Sequence, residues 1–468
     1  MDLSPEAARL AVIIAGVVVL WVTEALPLPV TALAGIVACV VAGVAPARDV
    51  FRPFSDPLVF LFIGSFMLAE AIRVHRLDRR LAFAVLGLPA VGERPGRILA
   101  AVAAVSATIS AFISNTATTA MMVTITAGIL AAVDDAGNGE GGRHGRPDPG
   151  WASGLLLAVS FAASIGGLAT PIGTPPNLIG LSFIRTELGV EVSFPVWCMV
   201  GVPVAVLLTG CAVLLLGWMF PAGVDRIGGV AALVARERAG LGGWTPGQAS
   251  TALAFAVTVA LWVVPGFLGL FLGAKHPLPA WFGRHVPEGV AALLGAVLLF
   301  VLPGGPGRRA LRWEEAAGID WGIILLYGGG MALGELSFST GLAGALGGFL
   351  TGWLPAGAGG APLVAAAALV AVVTSEFTSN TASANMVVPV AMSLAAATGG
   401  EALPAALAAT FAASLGFMMP VSTPCNAIVY GTGRIRLRDM IRAGALLDVA
   451  GALTVTAAML LAGRFLPR

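Results

Sequence analysis

Long apolar stretches, separated by short polar segments, recur along the whole chain. Each is about 17 to 25 residues long, the length of helix that crosses about 30 Å of hydrocarbon. The pattern predicts ten full membrane spans, near residues 8–24, 29–46, 57–73, 151–186, 194–221, 248–271, 287–303, 318–336, 402–432 and 442–464. Two further apolar stretches, 97–131 and 362–397, are too long for one crossing and too short for two.

Both of these intermediate stretches carry Ser-Asn-Thr near the middle, at residues 114–116 and 379–381. Polar residues there predict re-entrant hairpins, in which two half-helices meet at a non-helical tip. Non-helical backbone at membrane depth is tolerated only where protein or a water-filled cavity covers it. We therefore expect each tip to lie inside the protein.

The two halves of the chain repeat one another. "FISNTATTAMMV" (112–123) matches "FTSNTASANMVV" (377–388), and "FIGSFMLAE" (62–70) matches "YGGGMALGE" (327–335), both at a spacing of 265. "FAASIGGLATPIGTPPNLI" (161–179) matches "FAASLGFMMPVSTPCNAIV" (411–429) with a one-residue gap. Five full spans per half is an odd number, so the second half is predicted to insert upside down. Such inverted repeats are common in secondary transporters that bind substrate near the midplane.

Composition and charge agree with a polytopic membrane protein. The chain is 57% hydrophobic and 11% charged, against about 25% charged in soluble domains. On the predicted spans, 18 of the 26 lysines and arginines fall in loops 73–97, 132–150, 222–247, 304–317 and 433–442. The positive-inside rule assigns these loops to the cytoplasm.

Several expectations about the rest of the chain follow. Both termini, with Arg48 and Arg52, face outward; the first hairpin opens inward and the second outward. The first apolar stretch has no basic n-region, so it is predicted to be a span and not a removable signal. The four cysteines have no paired spacing, which favours neither a disulfide framework nor a metal site. The net charge of +1 identifies no partner, and we expect no nucleic-acid binding.

The broken spans contain the Gly/Pro-rich segments "GLATPIGTPPN" and "GFMMPVSTPCN". Proline interrupts the helical hydrogen bonds and leaves carbonyl groups free. Free carbonyls with serine, threonine and asparagine oxygens suit a small cation such as Na⁺, whereas the helix N-termini after each tip suit an anion. An asparagine can serve both, since its oxygen accepts and its NH₂ donates. Helix-packing hydrogen bonds are the alternative interpretation, but two matched clusters beside Gly and Pro favour a site.

Three carboxylates in or near spans are further candidates. Glu70 and Glu335 are matched by the repeat and lie near span ends, where a structural role is favoured. Glu376 precedes Asn380 by four residues. It either carries a proton or tunes the site, or it caps a half-helix, and capping is favoured.

Together, the paired "SNT" tips, "GTPPN" (173–177), "STPCN" (422–426) and "TEALPLPVTA" (23–32) resemble the divalent anion/sodium symporter family. The resemblance covers nearly the whole chain, although many members have one more span before residues 8–24. It implies a homodimer and an elevator mechanism, with a scaffold domain and a mobile transport domain. The implied division is scaffold 1–96 and 248–361, transport 97–221 and 362–468, and a cytoplasmic linker 222–247.

The resemblance also implies the site residues. A first sodium site would use Ser110, Ser114, Asn115 and Gly173, and a second would use Ser375, Thr378, Asn380 and Ser422. Substrate carboxylates would contact Ser114, Asn115 and Thr116 on one side and Ser379, Asn380, Thr381 and Thr423 on the other. Thr174 and Pro424 would shape the pocket.

The expected function is therefore sodium-coupled symport of C4 dicarboxylates such as succinate, malate or fumarate across the inner membrane. Sodium-independent dicarboxylate exchange and tricarboxylate or sulfate symport remain alternatives. A cation/proton antiporter is an alternative of another class, but it usually needs a central ionisable residue, and Glu376 alone lies near a tip. No histidine lies in a predicted span, which argues against an intramembrane enzyme.

Overall fold

A computed structural model describes residues 3–137, 147–273, 276–351 and 359–463. Part of the predicted loop 132–150, with Arg143 and Arg146, lies outside these ranges, as do the ends of the predicted segments 1–96, 442–464 and 362–468.

The first half of the described chain is helical. Its helices are α1 (Pro5–Thr23), α2 (Leu28–Val41), α3 (Ala47–Phe51), α4 (Pro57–Val74), α5 (Leu77–Leu86), α6 (Pro95–Ser110), α7 (Asn115–Gly137), α8 (Pro149–Gly166), α9 (Pro175–Leu188) and α10 (Phe194–Met219). A 3₁₀ turn, Arg52–Ser55, joins α3 to α4. Proline begins many of these helices because its fixed φ suits the first turn, where its missing N–H costs no hydrogen bond.

The second half adds twelve helices. They are α11 (Val230–Gly240), α12 (Pro246–Leu272), α13 (Pro277–His285), α14 (Glu288–Val301), α15 (Trp313–Ala316), α16 (Trp321–Ser339), α17 (Leu342–Thr351), α18 (Ala361–Phe377), α19 (Asn380–Thr398), α20 (Ala402–Ala412), α21 (Pro424–Tyr430) and α22 (Leu437–Ala462). A small antiparallel ladder pairs β1 (Pro303–Gly305) with β2 (Arg308–Arg309). It is a minor departure from the predicted all-α fold, at a turn where Gly305 and Gly307 have positive φ.

Nine helices of the described chain are long and apolar enough to cross a membrane, or ten if α13 and α14, bent by 67°, form one span. The polytopic helical fold is thus confirmed. The predicted spans 29–46 and 287–303 correspond to α2 and α14, which have only 14 residues each. At 1.5 Å per residue each is about 21 Å long, shorter than the pattern of apolar residues predicts.

The predicted breaks are present. Residues 167–174 separate α8 from α9, and residues 413–423 separate α20 from α21. The Ser-Asn-Thr tips connect α6 to α7 and α18 to α19. Since α7 and α19 are each long enough to cross a membrane by themselves, the re-entrant geometry of the hairpins stays a prediction.

The helices that carry the tips and breaks pack together. Helix α8 lies against α6, α7 and α10, whereas α20 lies against α18, α19 and α22. Aromatic pairs join the two halves: the rings of Trp197 and Phe411 stack at 4.4 Å, and those of Phe161 and Phe417 lie 5.1 Å apart. A second group contains α1, α2, α4, α12, α14 and α16. The boundaries of scaffold and transport domains nevertheless remain predictions.

Candidate functional site

One cavity of about 680 Å³ collects both tips and both breaks. Its lining comes from the first tip (Ser114, Asn115, Thr116), the first break (Gly173, Thr174), the second tip (Ser379, Asn380, Thr381) and the second break (Ser422, Thr423, Pro424). Segments more than 250 residues apart in sequence therefore meet at one place. Among the described residues, no lysine or arginine lines this cavity.

The two tips make the same hydrogen bond. Ser110 Oγ lies 2.7 Å from the side-chain amide of Asn115, and Ser375 Oγ donates to Asn380 Oδ1, also at 2.7 Å. Both serines are fully buried at the end of the helix that precedes the tip. Each asparagine is thus held from behind by a serine and begins the helix that follows, so its orientation toward the cavity is fixed.

The two breaks are also held in the same way. Asn177 Nδ2 donates to the carbonyl oxygens of Gly167 and Thr170, both at 2.8 Å. Asn426 Nδ2 donates to those of Gly416 and Met419, both at 3.0 Å. In both breaks, the two carbonyl oxygens belong to residues that precede the asparagine by ten and by seven positions. These matched bonds satisfy carbonyls that the interrupted helix leaves free and give the sequence repeat a structural counterpart.

An oxygen-rich cluster surrounds each tip asparagine. With its amide nitrogen turned toward them, Asn115 lies 3.3 Å from the carbonyl oxygens of Ala163 and Gly173. In the second half, Ser375 Oγ also donates to Ala413 O at 2.8 Å, and Ser422 Oγ donates to Ser375 O at 2.9 Å. Neutral oxygens at such spacing are the ligands that hard monovalent and divalent cations take.

Helix N-termini point into the same cavity. Asn115, Thr174 and Ser379 stand at the first residue of α7, the N-cap of α9 and the N-cap of α19, respectively. The free N–H groups at the starts of α7 and α19 and the positive dipole ends of all three helices favour an anion. Helix α9 contributes its dipole end without N–H groups from its first two residues, because Pro175 and Pro176 have none. The hydroxyl of Ser379 already accepts a hydrogen bond from Ala382 N at 3.1 Å, as that of Thr423 accepts one from Asn426 N. The cavity therefore combines anion donors with cation ligands.

Most predicted site residues line this cavity, but three do not. Ser110 and Ser375 lie behind the asparagines, as described above. The hydroxyl of Thr378 donates to Thr374 O at 2.8 Å and so is turned toward its own helix.

The sequence missed three polar lining residues of the cavity. Ser65 of α4 and Asp320 at the N-cap of α16 come from the second helix group, and Cys425 of α21 follows the second break. The repeat contained a signal for Ser65, since the "FIGSFMLAE" segment matches "YGGGMALGE". Asp320 had none, because an aspartate that begins a span is an ordinary helix cap.

A second cavity of about 510 Å³ adjoins the first and shares Phe66, Ser114, Ala120 and Asp320 with it. Charged residues from the end of α4, the turn after it and the start of α5 also line it: Glu70, Arg73, Arg76, Asp78 and Arg79. Burial raises the pKa of the Asp78 carboxyl above its ordinary value, against the opposing effect of the Arg79 N–H. The site thus adjoins the face that the arginine distribution assigns to the cytoplasm. We call this second cavity the vestibule.

The three candidate carboxylates have structural partners. Glu70 accepts from Arg73 Nε at 2.8 Å, and Glu335 accepts from Arg52 at 2.9 Å. Glu376 is fully buried and accepts the backbone N–H groups of Met418 at 2.8 Å and Met419 at 3.0 Å. It therefore caps free N–H groups of the second break and joins that break to the hairpin.

Comparisons with known proteins agree with this architecture. The profile of the family described as "Sodium:sulfate symporter transmembrane region" matches residues 1–466. The sodium-dependent dicarboxylate transporter SdcS of Staphylococcus saprophyticus is 32% identical over 438 residues, which cover 91% of this chain and 80% of that protein. SdcS of Staphylococcus aureus strain USA300 is 30% identical over 440 residues, covering 93% and 82%.

Two solved structures share the fold at low sequence identity. The YdaH transporter of Alcanivorax borkumensis superposes with a TM-score of 0.56 at 14% identity, covering 90% of this chain and 88% of that one. MtrF of Neisseria gonorrhoeae gives a TM-score of 0.56 at 12% identity, covering 89% and 82%. The family profile and the SdcS relatives span almost the whole chain, and this chain therefore belongs to the sodium:sulfate symporter family of membrane transporters.

Proposed function

We propose that this protein couples the inward movement of Na⁺ to the uptake of C4 dicarboxylates such as succinate, malate or fumarate. The observation that carries the proposal is the single cavity lined by both Ser-Asn-Thr tips and both breaks. The names of the SdcS relatives support the same substrate class. The plasma membrane is the corresponding location.

The two oxygen clusters would hold the sodium ions. Ser110, Asn115 and Gly173 form the first with Ser114, and Ser375, Asn380 and Ser422 form the second with the backbone of Thr378. In each, hydroxyl and carbonyl oxygens and the asparagine side-chain amide lie within 3.3 Å of a neighbour in the cluster. Bound Na⁺ would separate and coordinate these oxygens.

The dicarboxylate would lie between the tips. Ser114, Asn115, Thr116 and Thr174 face it from one half, and Ser379, Asn380, Thr381, Thr423 and Pro424 face it from the other. A dianion is costly at membrane depth unless positive charge accompanies it. Since the cavity lining has no described basic side chain, sodium ions and helix N-termini must supply that charge. Binding of the anion then depends on Na⁺, which is the basis of coupling.

Movement between the two sides would follow an elevator mechanism in a homodimer. The transport domain would comprise 97–221 and 362–468, and the scaffold 1–96 and 248–361, joined by the linker 222–247. The packing of α8 and α20 on the tip helices supports motion of tips and breaks as one unit.

Uptake into vesicles tests the proposal. Radiolabelled succinate uptake should require an inward Na⁺ gradient and stop when choline replaces sodium. An excess of malate or fumarate should compete, whereas citrate and sulfate should not. Uptake that persists in choline medium in dicarboxylate-loaded vesicles would instead indicate exchange, and competition by sulfate alone would indicate a sulfate symporter.

A further inference from the structure

The N-terminal ends of α4 and α16 carry matched aspartates. Asp56 is the N-cap of α4 and accepts from Leu58 N at 2.7 Å; Asp320 is the N-cap of α16 and accepts from Ile323 N at 3.3 Å. These two helices contain the repeated "FIGSFMLAE" and "YGGGMALGE" segments. The match is one of helix position, since the aspartates lie 264 residues apart and the segments 265.

The broken spans carry matched arginines. Arg185 follows Asn177 by eight residues, and Arg434 follows Asn426 by eight residues. Because the two asparagines hold their breaks by the same pair of hydrogen bonds, the arginines lie at equivalent sequence positions after the two breaks. Arg185 lies in the last turn of α9, whereas α21 ends at Tyr430 and Arg434 lies in the segment that follows. The repeat therefore relates one Asp–Arg combination to the other.

The two combinations differ in the structure. Arg185 forms an ion pair with Asp56, and the exposed fractions of their side chains are 29% and 17%. Arg434 approaches only Asp134, at 3.9 Å, with both side chains 49% exposed. Within the described residues, Asp320 takes part in no ion pair; it accepts from Ile323 N and is among the residues that line both the cavity and the vestibule.

The helices that carry the two aspartates, α4 and α16, also differ in their packing. Helix α16 lies directly on α9 and α19: Gly334 touches the ring of Phe183, and Gly330 touches the side chain of Asn385. A side chain at either glycine would collide with its neighbour. At these two glycines, α16 therefore contacts α9 and α19 directly.

The equivalent positions on α4 are open. Ser65 and Ala69, which match Gly330 and Gly334, line the cavity and the vestibule. Ala120, which matches Asn385, lines the same space. At these positions α4 borders the two larger cavities, of about 680 and 510 Å³, whereas the equivalent positions of α16 contact α9 and α19 and border a cavity of only about 220 Å³.

An unpaired carboxylate is unfavourable beside the path of a dianion, because like charges repel at close range. Asp320 also caps α16, and a cation that pairs with its carboxylate in another state of the cycle would remove the repulsion. Arg434 is the cation that the repeat assigns to that position, and both residues lie toward the face with the basic loops.

Resting on the proposed transport function, we propose that Asp320 and Arg434 are positioning residues that form the ion pair closing the vestibule when the Asp56–Arg185 pair opens. The two pairs are mutually exclusive within one protomer. Each ion pair then stabilises one end state of the transport cycle. Neither pair contacts the substrate in the state in which that pair is formed.

A charge exchange tests the pair by transport. Asp320→Arg and Arg434→Asp should each lower the maximal rate of succinate uptake by about tenfold with little change in KM, and the double variant should return to within about threefold of the parent. A purely structural role would leave the defects additive. The matched control is the exchange of Asp56 and Arg185, which should show the same rescue.

Disulfide formation tests the pair without a transport readout. Cysteines that replace Asp320 and Arg434 should form a disulfide during turnover with substrate and Na⁺. In a variant that also carries cysteines at positions 56 and 185, a disulfide between those two positions should suppress the one between 320 and 434. Peptide mass spectrometry identifies each link, so the native cysteines stay in place. A link at positions 56 and 185 with none at 320 and 434 under any condition, together with no rescue by charge exchange, would overturn the pairing. Failure of the parent to take up any dicarboxylate would contradict the proposed function alone. Linking would then be measured without substrate, where a link at 320 and 434 would support the pairing and its absence would overturn it.

Discussion

Alanine in place of Asn115 or Asn380 is expected to reduce sodium-driven succinate uptake by about a hundredfold or more. Each amide lies at the cavity wall, where the proposal gives it a sodium ion on one side and a substrate carboxylate on the other. Hydrogen bonds to charged groups contribute about 1.5–3 kcal/mol each, so the loss of both contacts corresponds to about two or more powers of ten in affinity. Initial rates across a range of Na⁺ concentrations measure the effect.

The two substitutions should also shift the sodium dependence to higher concentration. Thr456→Ala serves as a control, because the Thr456 hydroxyl donates to Ala452 O at 2.7 Å within α22 and does not line the cavity. Unchanged transport by Asn115→Ala, combined with complete loss in Glu376→Gln, would contradict the account and favour a cation/proton antiporter.

Gly416→Ala is expected to abolish sodium-dependent binding by filling the second oxygen cluster. A Cβ at this position would collide with Ser422 Oγ and lie 3.1 Å from Ser375 Oγ. Both hydroxyls belong to the proposed cation site, so the added methyl group would displace sodium ligands as well as fill the space between them. Overpacking of this kind costs about 1–3 kcal/mol in stability, which a membrane protein of this size should survive. Thermal stabilisation of the purified protein by Na⁺ provides the measurement.

Gly210→Ala is the matched control for this substitution. Gly210 lies within α10, and nothing comes within 4 Å of a Cβ added there. That variant should retain the full stabilisation by sodium, while Gly416→Ala loses it. Equal stabilisation of the two proteins would place the cation elsewhere.

The sequence was sufficient to predict the tips and breaks, because the residues that form each of them are neighbours in the chain. Ser-Asn-Thr in an apolar stretch and Gly/Pro next to threonine each have few structural uses at membrane depth. The repeat then predicted that the two tips meet, and the shared cavity agrees with that prediction.

Other features depend on contacts between distant segments. Glu376 caps the N–H groups of Met418 and Met419, which lie more than 40 residues later in the chain. Its spacing from Asn380 therefore indicated a role but did not identify these partners. Asp320 enters the cavity wall through the packing of α16. The short helices α2 and α14 end sooner than their apolar stretches, because an apolar composition does not determine where a helix ends. Such features follow from tertiary packing, which no local pattern contains.

The central claim is that one dianion and its sodium ions bind together between the two Ser-Asn-Thr tips. Cryo-electron microscopy of the protein in NaCl with succinate tests this claim most directly. The account predicts density for the anion between Asn115 and Asn380, with smaller density in the oxygen clusters behind them, and loss of all of it when choline replaces sodium. Succinate density elsewhere in the protein, or unchanged density between the tips without sodium, would contradict it.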